Sequence, residues 1–169
     1  TTKSRFSWLL VNLMTAVTAS IVISFFQASI EKVVALAVLM PIVASMGGNA
    51  GTQTLTVAVR ALATKELTTS NAFKIITKET LVGGINGIVF AMIIGILSSY
   101  WFQNNFLGVV IASAMVLNLL IAGMAGIIIP LTLNKFKIDP ALASGVILTT
   151  ITDVFGFLSF LGLASIFLI

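Results

Sequence analysis

The sequence predicts an all-α integral membrane protein with five transmembrane helices per protomer. Three observations predict it. Charged residues make up only 8% of the 169 and hydrophobic residues 59%, whereas a soluble domain carries about 25% charged residues. The mean hydropathy is +1.17. The charges also fall in clusters that separate uncharged runs, each long enough for the roughly 20 residues that cross a bilayer. There is no Cys and no His, which excludes disulfides and removes the usual ligands of zinc, copper and iron–sulfur centres. Any metal handled here must meet oxygen, which favours Mg²⁺, Ca²⁺, Mn²⁺ or monovalent ions.

The first helix is expected over 6–27, inside the 25 uncharged residues between Arg5 and Glu31. The second is expected over 32–61, because 27 uncharged residues separate Lys32 from Arg60. Pro41 falls inside it and is expected to kink it. The 55 uncharged residues between Glu79 and Lys135 hold two crossings, 71–101 and 107–134. Ser98 to Asn105 is the polar turn between them, its aromatics at headgroup level. The stretch Thr68 to Asn71 offers a cap for the third helix, whose first turns, with Phe73, Lys74, Ile75 and Ile76, read as amphipathic. The fifth helix, 140–168, opens on Asp139-Pro140, an N-cap followed by proline at the first helical position. Small residues recur four apart at Gly47/Gly51, Gly83/Gly87, Ala122/Gly126 and Ala141/Gly145, a spacing that lets helices pack closely in lipid.

Five crossings put the termini on opposite sides. One side holds Lys3, Arg5, Arg60, Lys65, Lys74, Lys78, Lys135 and Lys137, and the other holds only Lys32. The positive-inside rule then makes the N-terminus cytoplasmic and the C-terminus outside. This asymmetry accounts for the formal charge of +4, and no nucleic-acid partner is expected. The chain starts Thr-Thr without a signal-peptide pattern, and is expected to be a fragment of something longer.

Asp153 is the exception to the apolar pattern. It lies 13 residues past Pro140, roughly 20 Å along a helix and so near mid-membrane. An acid there costs on the order of 2.5–3.5 kcal/mol and persists when it meets a cation, a proton or a basic partner. No Lys or Arg lies in any apolar span, so a cation or permanent protonation remains. Helical spacing aligns Gly145, Thr149, Thr152, Asp153 and Gly156 in the last helix, and Asn49, Thr52, Gln53, Thr56 and Arg60 in the second. It also aligns Glu79, Gly83 and Asn86 in the third. A hydrated divalent cation suits such oxygen-bearing stripes, since Mg²⁺ usually keeps several waters. A two-fold dimer would bring two copies of Asp153 together to balance one divalent charge. With one mid-membrane acid and neither Cys nor His, no catalytic pair is evident, and an enzyme is not expected.

Three motifs in order carry a resemblance. Pro41-Ile42-Val43-Ala44-Ser45-Met46-Gly47-Gly48-Asn49-Ala50-Gly51-Thr52-Gln53 continues to Arg60-Ala61-Leu62-Ala63. Lys78-Glu79 leads into Gly83-Gly84-Ile85-Asn86-Gly87. Asp139-Pro140-Ala141 is followed by Thr149-Thr150-Ile151-Thr152-Asp153 and Gly156. From about Trp8 onward the chain resembles the MgtE family of magnesium channels. The resemblance implies a homodimer with a Mg²⁺ pore at its interface, lined mainly by the second and fifth helices. Asp153 falls on the family's pore carboxylate, which holds hydrated Mg²⁺. Backbone oxygens around Gly48 and Thr149 belong to the same implied site, and Glu79 falls on a second acidic site. Asn49, Thr52, Gly145, Thr152 and Gly156 are the expected pore lining. Gly145 stands where some members have Asn, and Thr52 where some have a larger amide. Family members usually carry cytoplasmic regulatory domains, including a CBS pair that senses Mg²⁺. This chain reads as the single transmembrane domain, 1–169, without them, so no Mg²⁺-dependent closure of that kind is expected of it.

The expectation is therefore a Mg²⁺-selective channel domain, multi-pass in the plasma (inner) membrane of a prokaryote, with lipid and a second copy as its partners. Two alternatives stand beside it. One is a proton- or sodium-coupled divalent-cation exporter, and the other a non-conducting membrane assembly subunit.

Overall fold

The computed structural model describes residues 2–167, apart from the side chains at 141 and 142. Its helices are α1 (Thr2–Ser24), α2 (Gln27–Lys32), α3 (Ala35–Ala63), α4 (Ala72–Phe102), α5 (Asn105–Lys135) and α6 (Pro140–Phe167). Five of them, all but α2, are long and apolar enough to cross a membrane. The expected spans correspond to α1, α3, α4, α5 and α6, and the expected end at residue 168 lies outside the described residues.

Where the bounds differ, local chemistry explains it. The first span ends early, at Ser24, and the chain turns at Phe25-Phe26 into α2. The Ser29 and Ser165 hydroxyls, 2.7 Å apart, tie α2 to α6. The polar turn expected from Ser98 to Asn105 is much shorter, because α4 continues through Phe102. Gln103 stops it by adopting φ 53°, a left-handed cap. Asn104 then starts α5, its side-chain oxygen accepting from the Leu107 N–H at 3.2 Å. The cap expected from Thr68 to Asn71 does not form on α4. The Asn71 side chain folds back instead, accepting from the Thr68 N–H at 2.8 Å and donating to the Glu66 carbonyl at 2.7 Å. At α6 the Asp139 carbonyl accepts from the Ala143 N–H at 3.4 Å.

α5 is the central helix. It packs on α4, α6 and α3, while α1 packs on α6. Leu36, Leu39 and Val43 of α3 meet Leu107, Ile111, Met115 and Leu119 of α5 and Phe160 and Leu161 of α6 in the main core. At the other end, Ile75 and Ile76 pack on Ala58, Leu67 and Ile127, so the first turns of α4 bury one face and leave Phe73, Lys74 and Lys78 exposed. In lipid the apolar surface outside this core needs no cover, and α1 leaves Phe6, Leu9, Leu13 and Met14 exposed. Helix association there depends on close packing.

Glycines supply that packing where α4 meets α5. A side chain on Gly83 would come to 2.6 Å of the Leu119 carbonyl oxygen, and one on Gly123 to 2.6 Å of the Glu79 carbonyl oxygen. A side chain on Gly87 would come to 3.2 Å of the Val116 Cα, and Gly126 holds α5 against Thr54 of α3. The small-residue spacing at 83/87 and at Gly126 thus packs helices as expected. Gly145 does not, since among the described residues nothing lies within 4 Å of where its side chain would be, and the Ala141 side chain lies outside the described residues.

Candidate functional site

α3 and α6 lie side by side, and their shared outer edge forms a groove of about 350 Å³ at the depth of Asp153. Ala44, Ser45, Gly48, Asn49 and Thr52 of α3 line it, with Thr149 and Asp153 of α6. Spacings of three and four place Ser45, Asn49 and Thr52 on one face of α3, and Thr149 and Asp153 on one face of α6. Asn49, Thr52 and Thr149 are exposed and Asp153 is half-buried. Among the described residues, the Asp153 carboxylate has no hydrogen bond or ion pair.

The threonine hydroxyls of this groove donate to carbonyls of their own helices. The Thr52 hydroxyl donates to the Gly48 carbonyl and the Thr149 hydroxyl to the Gly145 carbonyl, each at 2.8 Å. The Asn49 amide donates to the Ser45 hydroxyl at 3.3 Å. A hydroxyl has one hydrogen and two lone pairs, and a primary amide has a separate carbonyl oxygen. Thr52 and Thr149 therefore retain acceptor capacity for a guest, and Asn49 its carbonyl oxygen and one remaining N–H, beside the acceptor-only carboxylate of Asp153.

Most of the expected site residues meet here, but not all. Gly145 is exposed one turn before Thr149 and lies outside the groove lining. Thr152 is fully buried and donates to the Leu148 and Thr149 carbonyls at 3.1 Å. Gly156 is buried against Asn118 and Val43. Those two share the wide polar stripe of α6, but they occupy the edge that α3 and α5 cover, so neither lines the groove. Ser45 does line it and was not among the expected residues, although its place four before Asn49 put it on the same face.

Glu79 lies elsewhere. Together with Gln53 and Asn86 it lines a recess of about 150 Å³ where α3 and α4 diverge over α5. The polar stripe of α3 thus divides, with Asn49 and Thr52 facing one site and Gln53 the other. Among the described residues no three acidic side chains gather at one place. One carboxylate per site in each chain is what the fold provides.

Comparison with known proteins places this architecture. The MgtE family, described as a divalent cation transporter, matches residues 40–163. The magnesium transporter MgtE of Bacillus subtilis (strain 168) is 39% identical over 97% of the chain, and that of Enterococcus faecalis 37% identical over 98%. The MgtE of Thermus thermophilus is 32% identical, again over 98%. The chain spans only 36–37% of the length of these curated relatives. The matched region takes in the groove residues of α3 and α6 as well as Glu79, and the chain belongs to the MgtE family of divalent cation transporters.

Proposed function

We propose that this chain passes hydrated Mg²⁺ across a membrane through a pore formed between two copies, with Asp153 as the pore carboxylate. The observation that carries the reading is the open groove of Ser45, Gly48, Asn49, Thr52, Thr149 and Asp153 on the outer edge of one protomer. Lipid cannot satisfy the Asp153 carboxylate or the Asn49 amide oxygen, since an unpaired polar group in hydrocarbon costs several kcal/mol. A second copy related by a two-fold axis covers the face and sets Asp153 opposite its twin. The groove also matches the guest in chemistry. The waters around Mg²⁺ point their hydrogens outward, and the Asp153 carboxylate with the Asn49 and threonine oxygens receives them.

With the N-terminus cytoplasmic, as the lysine and arginine asymmetry favours, an inside-negative potential drives entry. It supplies about 2.3 kcal/mol per charge per 100 mV. Conduction also requires a hold weak enough to release the ion. Glu79, with Gln53 and Asn86, forms a second acidic site off the pore axis. A multi-pass location in a prokaryotic plasma membrane, and cytoplasmic Mg²⁺-sensing domains in a longer form, complete the reading.

The test is uptake by the chain reconstituted in liposomes. Mg²⁺ entry that follows the imposed voltage and ignores a pH or sodium gradient at fixed voltage is the expected result. Flux that tracks either gradient identifies a coupled exporter instead. Silence in this assay, with tight co-purification of another protein, points to an assembly subunit.

A further inference from the structure

Asn118 sits in the middle of α5 with no exposed surface. Its amide nitrogen donates to the Val43 carbonyl of α3 at 3.0 Å. Its amide oxygen is buried and, among the described residues, has no hydrogen-bond partner. Two glycines make room for this amide from opposite helices. A side chain on Gly47 of α3 would overlap the amide nitrogen, and one on Gly156 of α6 would come to 2.9 Å of it. Gly47 adjoins Gly48 of the groove, and Gly156 is three residues past Asp153. The amide is therefore held behind the groove, between the two helices that form its walls.

Stability alone does not account for an asparagine here. One hydrogen bond returns little net free energy, whereas an unpartnered buried acceptor costs its full desolvation. A leucine, branched alike with the same number of side-chain heavy atoms though bulkier, would avoid the orphan. What asparagine adds is direction, because its bond to one backbone carbonyl fixes the height of α5 against α3. We infer that Asn118 is a positioning residue, whose amide, seated on the Val43 carbonyl between Gly47 and Gly156, sets the separation and register of α3 and α6. It thereby sets the width of the groove at Asp153. This inference rests on the pore reading and assigns it a residue that touches no ion.

The experiment is Mg²⁺ uptake by Asn118→Leu in liposomes, with thermal stability measured on the same preparation and Asp153→Ala run alongside. The expected result is unchanged or higher stability, with the Mg²⁺ concentration for half-maximal uptake raised about tenfold by misplacement of the walls. Asn118→Ser, which keeps a short donor, shifts it less in the same direction and serves if the leucine variant does not fold. A folded variant with unaltered half-saturation overturns the inference while the Asp153→Ala defect leaves the pore reading standing. Failure of both variants to fold makes Asn118 a stability residue and overturns it too. Uptake that survives Asp153→Ala overturns the pore reading, and this inference with it.

Discussion

Asp153→Ala is expected to lower selective Mg²⁺ uptake by at least about a hundredfold and to leave the proposed dimer folded. The two halves of this result have separate causes. A carboxylate about 5 Å from a divalent charge contributes roughly 6 kcal/mol at an effective dielectric near 20, before desolvation offsets much of it. Even the remainder of that attraction from two protomers exceeds the roughly 2.7 kcal/mol that a hundredfold change requires. Folding, by contrast, does not need this acid. Among the described residues it has no hydrogen bond or ion pair to lose, and its removal lifts an insertion cost of about 2.5–3.5 kcal/mol. Asp153→Asn separates charge from shape, since it keeps an acceptor oxygen and loses the field. It is expected to match Asp153→Ala in isotope uptake, with both variants eluting as dimers. Normal uptake by either variant contradicts the role given to the charge.

Gly123→Ala is expected to be among the most damaging single methyls in the chain. The added carbon would face the Glu79 carbonyl oxygen at 2.6 Å and the Thr80 Cα at 3.5 Å. Both obstacles are backbone, so no side chain can swing away and α4 must move off α5. Overpacking typically costs 1–3 kcal/mol where side chains can adjust, and about 3 kcal/mol or more is expected here. The movement also carries Glu79 and Asn86 away from Gln53, opening the second recess. Gly162→Ala is the control. Nothing lies within 4 Å of its added carbon, and a helical alanine gains roughly 0.5–1 kcal/mol over glycine. Thermal denaturation in detergent checks the pair, and a Gly123→Ala variant as stable as Gly162→Ala would show that α4 and α5 are not packed this closely.

The spans were legible because charge spacing decides what lipid accepts. Lys32, Arg60, Glu79 and Lys135 bound the runs from which α3, α4 and α5 form. The turn into α2 was not legible, since Phe25-Phe26 carries neither glycine, proline nor charge to interrupt the apolar run. In the candidate site, periodicity brought Asn49, Thr52, Thr149 and Asp153 to one groove. It failed at Thr152 and Gly156, because neighbouring positions on a helix differ by ~100° and a stripe does not reveal which edge the other helices cover. The division between Thr52 and Gln53 escaped for the same reason, since it depends on α4 diverging from α3. Asn118 gave no periodic signal at all. The residues three and four away from it on α5 are Ala114, Met115, Ile121 and Ala122, and only the fold reveals the glycines facing it.

The most direct measurement is the ion density of the dimer solved in Mg²⁺, with a Mg²⁺-free structure for comparison. A pore between two copies predicts one Mg²⁺-dependent peak between the paired Asp153 carboxylates, set back from them by water beyond the ~2.1 Å of direct coordination. Asp153 turned toward lipid, or a dimer joined through another face with no ion near it, would contradict the pore.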